Sequence, residues 1–247
     1  MLLVASVGNT SVRLGGFEEG DEPVLVRSAA VDTLEALDVG HRELASGRAP
    51  LEALVLGSVN PVVGGQVRSW AEETLHCPVF ELRAELPVPM RFACKAPRRI
   101  GADRVANALA LHKRTARGGV AVDFGTAISL VVVSPEGDFV GGAIAPGLRM
   151  SARALHADTA LLPLVDVAAT PPGVSGQTET AIAAGLLWGL AGMVDRLVER
   201  LAEPWPDAPV LATGGDASLL VPHCRRVGAI VPHLTLEGLR EAYLKRP

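Results

Sequence analysis

Three short glycine turns stand out as the residues able to handle a charged small molecule: Gly8-Asn9-Thr10, Gly125-Thr126 and Thr213-Gly214-Gly215, each directly after an apolar run. Without a Cβ, glycine lets backbone N–H groups approach phosphate oxygens closely, and threonine hydroxyls add donors. Open α/β sheets place ligands beyond the ends of their strands, which is where these turns fall. Any one of them would pass as an ordinary hairpin turn; three with matching flanks read as a nucleotide cradle. Asp123, which ends the run Val120-Ala121-Val122, adds a carboxylate beside the second turn, although an aspartate in a tight turn can also serve only the backbone.

The elements that must position these turns alternate in α/β fashion. Leu2 to Val7 and Val12 to Phe17 are β-type runs split by the first turn, so the chain opens with a hairpin. An amphipathic helix is expected from Thr33 to Ala45, then a buried strand at Leu54-Val55-Leu56, a helix over Val62 to Thr74 and a short run from Pro78 to Leu82. A proline-bearing loop from Leu86 to Arg99 precedes a helix beginning near Asp103. Gly118-Gly119 then restarts the opening pattern, with strands at Val120 to Phe124, Ile128 to Val133 and Phe139 to Ile144. The restart is a weak internal repeat of about 120 residues and divides the chain into lobes 1–117 and 118–247, an arrangement that usually encloses a cleft. Helices at Ser151 to Ala157 and Thr178 to Leu201, the strand Val210 to Ala212 and a closing helix from Leu236 are assigned to the second lobe.

Longer motifs resemble one family along nearly the whole chain. Gly101-Ala102-Asp103-Arg104-Val105-Ala106-Asn107-Ala108 is similar to the substrate motif of the type III pantothenate kinases, and Val122-Asp123-Phe124-Gly125-Thr126-Ala127 to their second phosphate motif. Gly141 to Leu148, Thr178, Gly185, Ala212-Thr213-Gly214-Gly215 and the ending Leu234 to Leu239 extend the likeness. The family also contains Bvg accessory factor homologues. The resemblance implies an actin-like ATPase fold, the α/β architecture of acetate and sugar kinases, Hsp70 and actin, built from two duplicated ribonuclease H-like lobes. It implies ATP-dependent phosphorylation of pantothenate to 4′-phosphopantothenate, the first step of coenzyme A biosynthesis, in a homodimer with its active site at the subunit interface. Asp103 would then accept the hydroxyl proton, with a helix N-cap as its plainer alternative. Arg104 would hold the substrate carboxylate or a phosphate, or else make a surface ion pair. Gly101, Ala102 and Thr178 would complete the substrate site, Thr178 from the neighbouring subunit. Ser6, Gly8, Asn9, Thr10, Gly125, Thr126, Gly214 and Gly215 would bind ATP, and Asp123 would bind a monovalent cation, potassium or ammonium, beside Mg²⁺.

Two places depart from the family pattern. Ser6-Val7-Gly8-Asn9-Thr10 has serine where the family has an aspartate that helps hold the magnesium of ATP, typically through water. A serine hydroxyl can still bond a metal-bound water but brings no charge, so weaker metal and nucleotide binding is expected. Cys94-Lys95-Ala96-Pro97 stands where the family has tyrosine, any residue, asparagine and proline, and Lys95 and Arg99 are either replacements or solvated charges. Two other readings therefore stay open: a catalytically impaired homologue acting as a ligand-binding or regulatory protein, and a kinase for a different small hydroxy acid.

Composition limits the partners. The net charge is −4 with 20% charged residues and no run of like charge, so neither nucleic acid nor a membrane surface is expected as a partner. Cys77, Cys94 and Cys224 lack the paired spacing of a zinc site or a redox dithiol, which suits a reducing compartment, and a cytoplasmic location is expected. The apolar stretch from Ala181 to Val194 falls short of the roughly 20 residues needed to span a bilayer.

Overall fold

The apolar run Leu2–Val7 forms strand β1, and such unbroken runs suit strands covered on both faces. Leu2 and Val4 sit in one buried cluster while Leu3, Ala5 and Val7 sit in another, the two-residue alternation of a strand with a packed layer on each side. The computed structural model describes residues 1–31, 50–168, 171, 174 and 176–246; the helix expected from Thr33 to Ala45 lies outside them. β1 pairs antiparallel with β2 (Ser11–Phe17), which pairs antiparallel with β3 (Leu25–Ala30). On its other side β1 runs parallel to β4 (Ala53–Ser58), and β4 parallel to β5 (Val79–Glu81), giving the order β3-β2-β1-β4-β5.

Helix α1 (Pro61–Thr74) starts on two local signals: the Asn60 side chain accepts from the Val63 N–H at 3.2 Å, and proline occupies the first turn, where no N–H is needed. Its Val63, Val67 and Ala71 pack with Leu3, Leu54 and Leu56. Helix α2 (Ala102–Thr115) covers the opposite face of the sheet, burying Val105, Ala106 and Leu109 with Leu2, Val4 and Val55.

The chain forms two compact units, Met1–Arg114 with Gly137–Phe139 and His233–Pro247, and Thr115–Glu136 with Val140–Pro232. The closing helix therefore does not belong with the second half as the sequence suggests. Helix α6 (Leu234–Leu244) returns to the first sheet, where Leu236, Leu239, Ala242 and Tyr243 share the cluster of Leu2 and Val4. Each such buried aliphatic side chain contributes about 1.5–3 kcal/mol relative to exposure. The docking on α2 is specific as well: Thr235 Oγ1 donates to Asn107 Oδ1 at 2.8 Å, and Arg114 makes a two-pronged bond to Glu237 at 2.6 and 2.8 Å. At Gly238 the helices touch through their backbones, since a Cβ there would stand 1.8 Å from the Ala106 carbonyl oxygen. The family-like ending Leu234 to Leu239 is thus a packing motif for the helix that carries Asp103.

In the second unit β6 (Gly119–Phe124) pairs antiparallel with β7 (Ala127–Val133) and parallel with β9 (Val210–Thr213). With β8 (Phe139–Pro146) and β10 (Ala229–Ile230) the order is β10-β9-β6-β7-β8. Read from the other edge, 8-7-6-9-10 repeats 3-2-1-4-5, so the two hairpins occupy equivalent places in two sheets of one topology. Helices α3 (Leu148–Ala157) and α4 (Thr178–Leu201) pack on this sheet, and the short α5 (Ala217–Leu220) follows β9. α4 runs for 24 residues, so the sequence-based limit on its length does not hold, and by length and composition alone it matches a membrane span. Its Ile182, Leu186, Leu187, Leu190, Val194 and Val198 nevertheless lie in the protein core with Val122, Phe124 and Leu130, the environment of a core helix.

Candidate active site

Ser6 is the fifth residue of β1, opposite Arg13 across the hairpin and beside Gly57 on β4. After it, the Gly8 N–H donates to the Ser11 carbonyl at 2.9 Å, closing a turn whose tip, Asn9 and Thr10, is exposed. Directly opposed residues of an antiparallel pair share a face, with Cβ atoms about 5 Å apart, so the Arg13 and Ser6 side chains leave the sheet side by side. No described carboxylate pairs with Arg13. Its charge is felt at His233, whose imidazole is pushed below its ordinary value by burial first and by Arg13 second.

At the head of α2, Asp103 is the second helical residue and not the cap. Its Oδ1 accepts from the Arg104 N–H at 2.7 Å and lies over Gly101, 2.5 Å from where a Cβ would stand. A negative charge in a first turn is favoured by the unsatisfied N–H groups there. The Arg104 side chain makes no ion pair with a described acid, which leaves its planar fork of donors available to an anion. Ala102 turns its methyl into the core at 7% exposure, so only its backbone can face a ligand.

The second hairpin carries Asp123 two residues before Gly125, the place that Ser6 holds before Gly8. Asp123 is opposite Ser129 on β7 and beside Thr213 on β9, and both neighbours are uncharged. The turn is braced by the Gly125 N–H donating to the Ala127 carbonyl and the Gly147 N–H to the Thr126 carbonyl, each at 3.2 Å. After β9 the chain passes close to this turn. Gly214 has φ +100°, where side chains are strained, and a Cβ on it would meet Asp123 Oδ1 and the Phe124 carbonyl group at 2.5 Å. Thr213 is not a free phosphate donor as the turn sequence suggests: it is fully buried, and its hydroxyl donates to the Pro232 carbonyl at 3.3 Å.

Asp216 escaped the sequence reading. Its N–H donates to the Phe124 carbonyl at 3.0 Å, fastening the loop after Gly214-Gly215 to the end of β6. Burial pushes its carboxyl above the ordinary value; Arg149, 4.0 Å away, pulls it down and Asp166 pushes it up again. The available signal was a lone aspartate between a glycine pair and an apolar helix start, a common capping pattern. Arg13 was also missed, although strand alternation across the first turn places it opposite Ser6.

Thr178 is the exposed first residue of α4 and lines a groove of about 580 Å³ with Leu155 and Leu162 from the α3 side and Gln177, Ile182 and Gly185 from its own. Each predicted residue therefore has a defined local setting: Ser6, Gly8, Asn9, Thr10, Gly101, Asp103 and Arg104 in the first unit, and Asp123, Gly125, Thr126, Thr178, Gly214 and Gly215 in the second.

Among solved structures, a conserved Baf family protein from Campylobacter jejuni matches with a TM-score of 0.64 at 16% identity over 98% of both chains. A ROK family glucokinase from Streptomyces griseus, in complex with glucose and AMPPNP, matches with a TM-score of 0.55 at 13% identity, again over 98% of both chains. These likenesses concern the fold, which is that of the actin-like ATPases. The type III pantothenate kinase of Pelobacter propionicus is 35% identical over 253 residues, 98% of each chain. The profile of that family matches residues 2–200, which takes in both hairpin turns, the head of α2, Asp123 and Thr178. On that match and that identity, the chain belongs to the type III pantothenate kinase family.

Proposed function

We propose that this protein phosphorylates pantothenate at its primary hydroxyl with ATP, giving 4′-phosphopantothenate for coenzyme A synthesis. The observation that carries the reading is the head of α2, where the Asp103 carboxylate is fixed by the Arg104 N–H and the adjacent Arg104 side chain has no acidic partner among the described residues. Phosphoryl transfer demands chiefly orientation and charge stabilisation. The acceptor hydroxyl oxygen forms the new bond to the γ-phosphorus, the bond to ADP breaks, and the hydroxyl proton passes to Asp103. Arg104 clamps the carboxylate of pantothenate, and Gly101 leaves room for the Asp103 carboxylate. Gly8, Asn9 and Thr10 in the first unit and Gly125, Thr126, Gly214 and Gly215 in the second offer donors to the nucleotide.

The described residues include no cluster of three or more ligating side chains. A magnesium ion brought with ATP would neutralise charge on the transferred group, and the Ser6 hydroxyl beside the first turn could bond a water on it. Asp123 with the carbonyls of its turn offers the hard oxygen donors suited to a potassium or ammonium ion. A homodimer is part of the proposal. Ala181, Gly185, Trp188 and Gly192 recur at helical spacing on one exposed face of α4, with Trp188 42% exposed, so a second copy has a close-packing surface next to Thr178. The cytoplasm, where ATP and free thiols coexist, is the proposed location.

The decisive experiment incubates the purified protein with ATP, Mg²⁺, K⁺ and pantothenate, and follows phosphopantothenate by mass spectrometry beside an Asp103→Asn control. Product that vanishes in the control is expected. Binding of both substrates without product would identify a ligand-binding protein instead.

A further inference from the structure

We propose that Arg83 is a positioning residue, whose guanidinium fixes the turn Pro97–Ile100 and through it the presentation of Gly101, Asp103 and Arg104 to the acceptor. The inference rests on the roles given above to the head of α2. The approach to that helix is a single 3₁₀ turn, Pro97–Arg99, closed by the Arg99 N–H to the Ala96 carbonyl at 3.1 Å and the Ile100 N–H to the Pro97 carbonyl at 3.2 Å. One short turn with two long bonds is a weak mount for a reacting carboxylate. Arg83 strengthens it from 14 and 17 residues away: Nη2 donates to the Pro97 carbonyl and Nη1 to the Ile100 carbonyl, both at 2.5 Å. The second of these carbonyls belongs to the residue before Gly101, whose own carbonyl accepts the Val105 N–H at 3.2 Å as α2 begins.

Arg83 is itself held in place. It sits at φ +76°, a conformation that a non-glycine residue keeps only when its surroundings enforce it. Here the Arg83 N–H donates to the Leu86 carbonyl at 2.8 Å, and the N–H groups of Ala84, Glu85 and Leu86 converge on the Glu81 carbonyl. Glu85 accepts the Glu81 N–H at 2.8 Å and Arg68 of α1 at 2.9 Å, and Arg68 also reaches Glu81 at 3.3 Å. Burial alone would raise the Glu85 carboxyl; those two donors outweigh it and hold it below its usual range. The guanidinium carbon lies over the Phe92 ring, 5.8 Å from its centroid, which limits the side chain's freedom. A fixed fork joining two carbonyls is something lysine cannot reproduce.

The test uses Arg83→Gly, which removes the fork while suiting the backbone to φ +76°, and Arg83→Lys, which keeps the charge. Hydrogen exchange on the free protein should rise at least about tenfold at amides 98–105 in both variants and stay unchanged at 119–134. Pantothenate kcat/KM should fall about 10–100-fold, the cost of a reacting group displaced by an ångström or less, with KM for ATP within about twofold. Unchanged exchange at 98–105, full activity with lysine, or a KM for ATP raised well beyond twofold would each overturn the proposal. If the wild type makes no phosphopantothenate, the proposed function falls instead. The exchange pattern and the dissociation constant of pantothenate relative to that of ATP then still decide the role of Arg83.

Discussion

Replacing Asp103 by asparagine separates two accounts of this residue by several kcal/mol. Asparagine keeps an oxygen where Oδ1 accepts the Arg104 N–H at 2.7 Å, and it fits over Gly101 as aspartate does, so the only structural loss is one negative charge in the first turn of α2. That charge is worth about 0.3–1 kcal/mol, or a melting temperature lower by roughly 1–4 °C for a chain of this size. If Asp103 only completes the helix, nothing more should change. If it takes the proton of the acceptor hydroxyl, kcat should drop on the order of 10² to 10⁴, about 2.7–5.4 kcal/mol of activation free energy, with KM for ATP preserved. Steady-state ADP release with product identified by mass spectrometry measures the drop in kcat, and thermal unfolding with and without ATP the change in melting temperature. Turnover within about threefold of wild type would refute the reasoning. So would a fall in melting temperature beyond about 10 °C, because the lost activity would then report a damaged fold.

Ser6→Asp should lower the Mg²⁺ concentration needed for half-maximal rate by up to about fivefold, since a charged acceptor for metal-bound water is worth about 1 kcal/mol more than a neutral one; a midpoint unmoved even with Arg13→Gln added would reject the account of this position. Gly214→Ala forces a Cβ into Asp123 Oδ1 and the Phe124 carbonyl at positive φ, whereas a Cβ on Gly125 meets Asp123 Oδ1 at an ordinary 3.4 Å. Gly214→Ala should therefore lose about 1–3 kcal/mol of stability together with ATP affinity, and Gly125→Ala should unfold near the wild-type temperature. The Cys224 thiol is pushed up to about 12 by burial and then by Asp195, so it should resist iodoacetamide at pH 8 in peptide-mapped alkylation. The same shift keeps the folded thiol protonated, so its contribution to stability is present below about pH 9 and fades toward pH 12; reaction of Cys224 at pH 8 at the rate of a free thiol would contradict both statements.

The hairpins, α1 and α4 were legible in the sequence because local chemistry specifies them: glycine turns between apolar runs, Asn60-Pro61 at a helix start, and a long apolar period. β3, α5 and β10 were not, for different reasons. β3 alternates little and is largely exposed, while α5 and β10 are four and two residues long, too short for any period to register. The closing helix was recognised but given to the wrong half, since a backbone contact such as that of Gly238 with Ala106 joins residues 132 positions apart and leaves no local mark. Asp103 and Arg104 were found by motif, whereas Arg83 was not, because its role depends on carbonyl oxygens that every residue possesses.

The repeated topology gives the Ser6 substitution a meaning beyond family comparison. Ser6 and Asp123 hold one slot, two residues before a glycine turn, on the first strand of matching five-stranded sheets. In the second unit the slot is anionic and its cross-strand neighbour Ser129 is neutral; in the first the slot is neutral and its neighbour Arg13 is cationic. The two hairpins therefore differ by two units of charge at the point where each addresses its turn. A carboxylate restored at position 6 would divide its interaction between Arg13 and the metal-bound water, and a half-exposed cross-strand ion pair takes about 0.2–1 kcal/mol of it. Fivefold is accordingly the upper end of the expected gain, reached only when the carboxylate is free of Arg13. Adding Arg13→Gln to Ser6→Asp should bring the Mg²⁺ midpoint closer to that limit than Ser6→Asp alone.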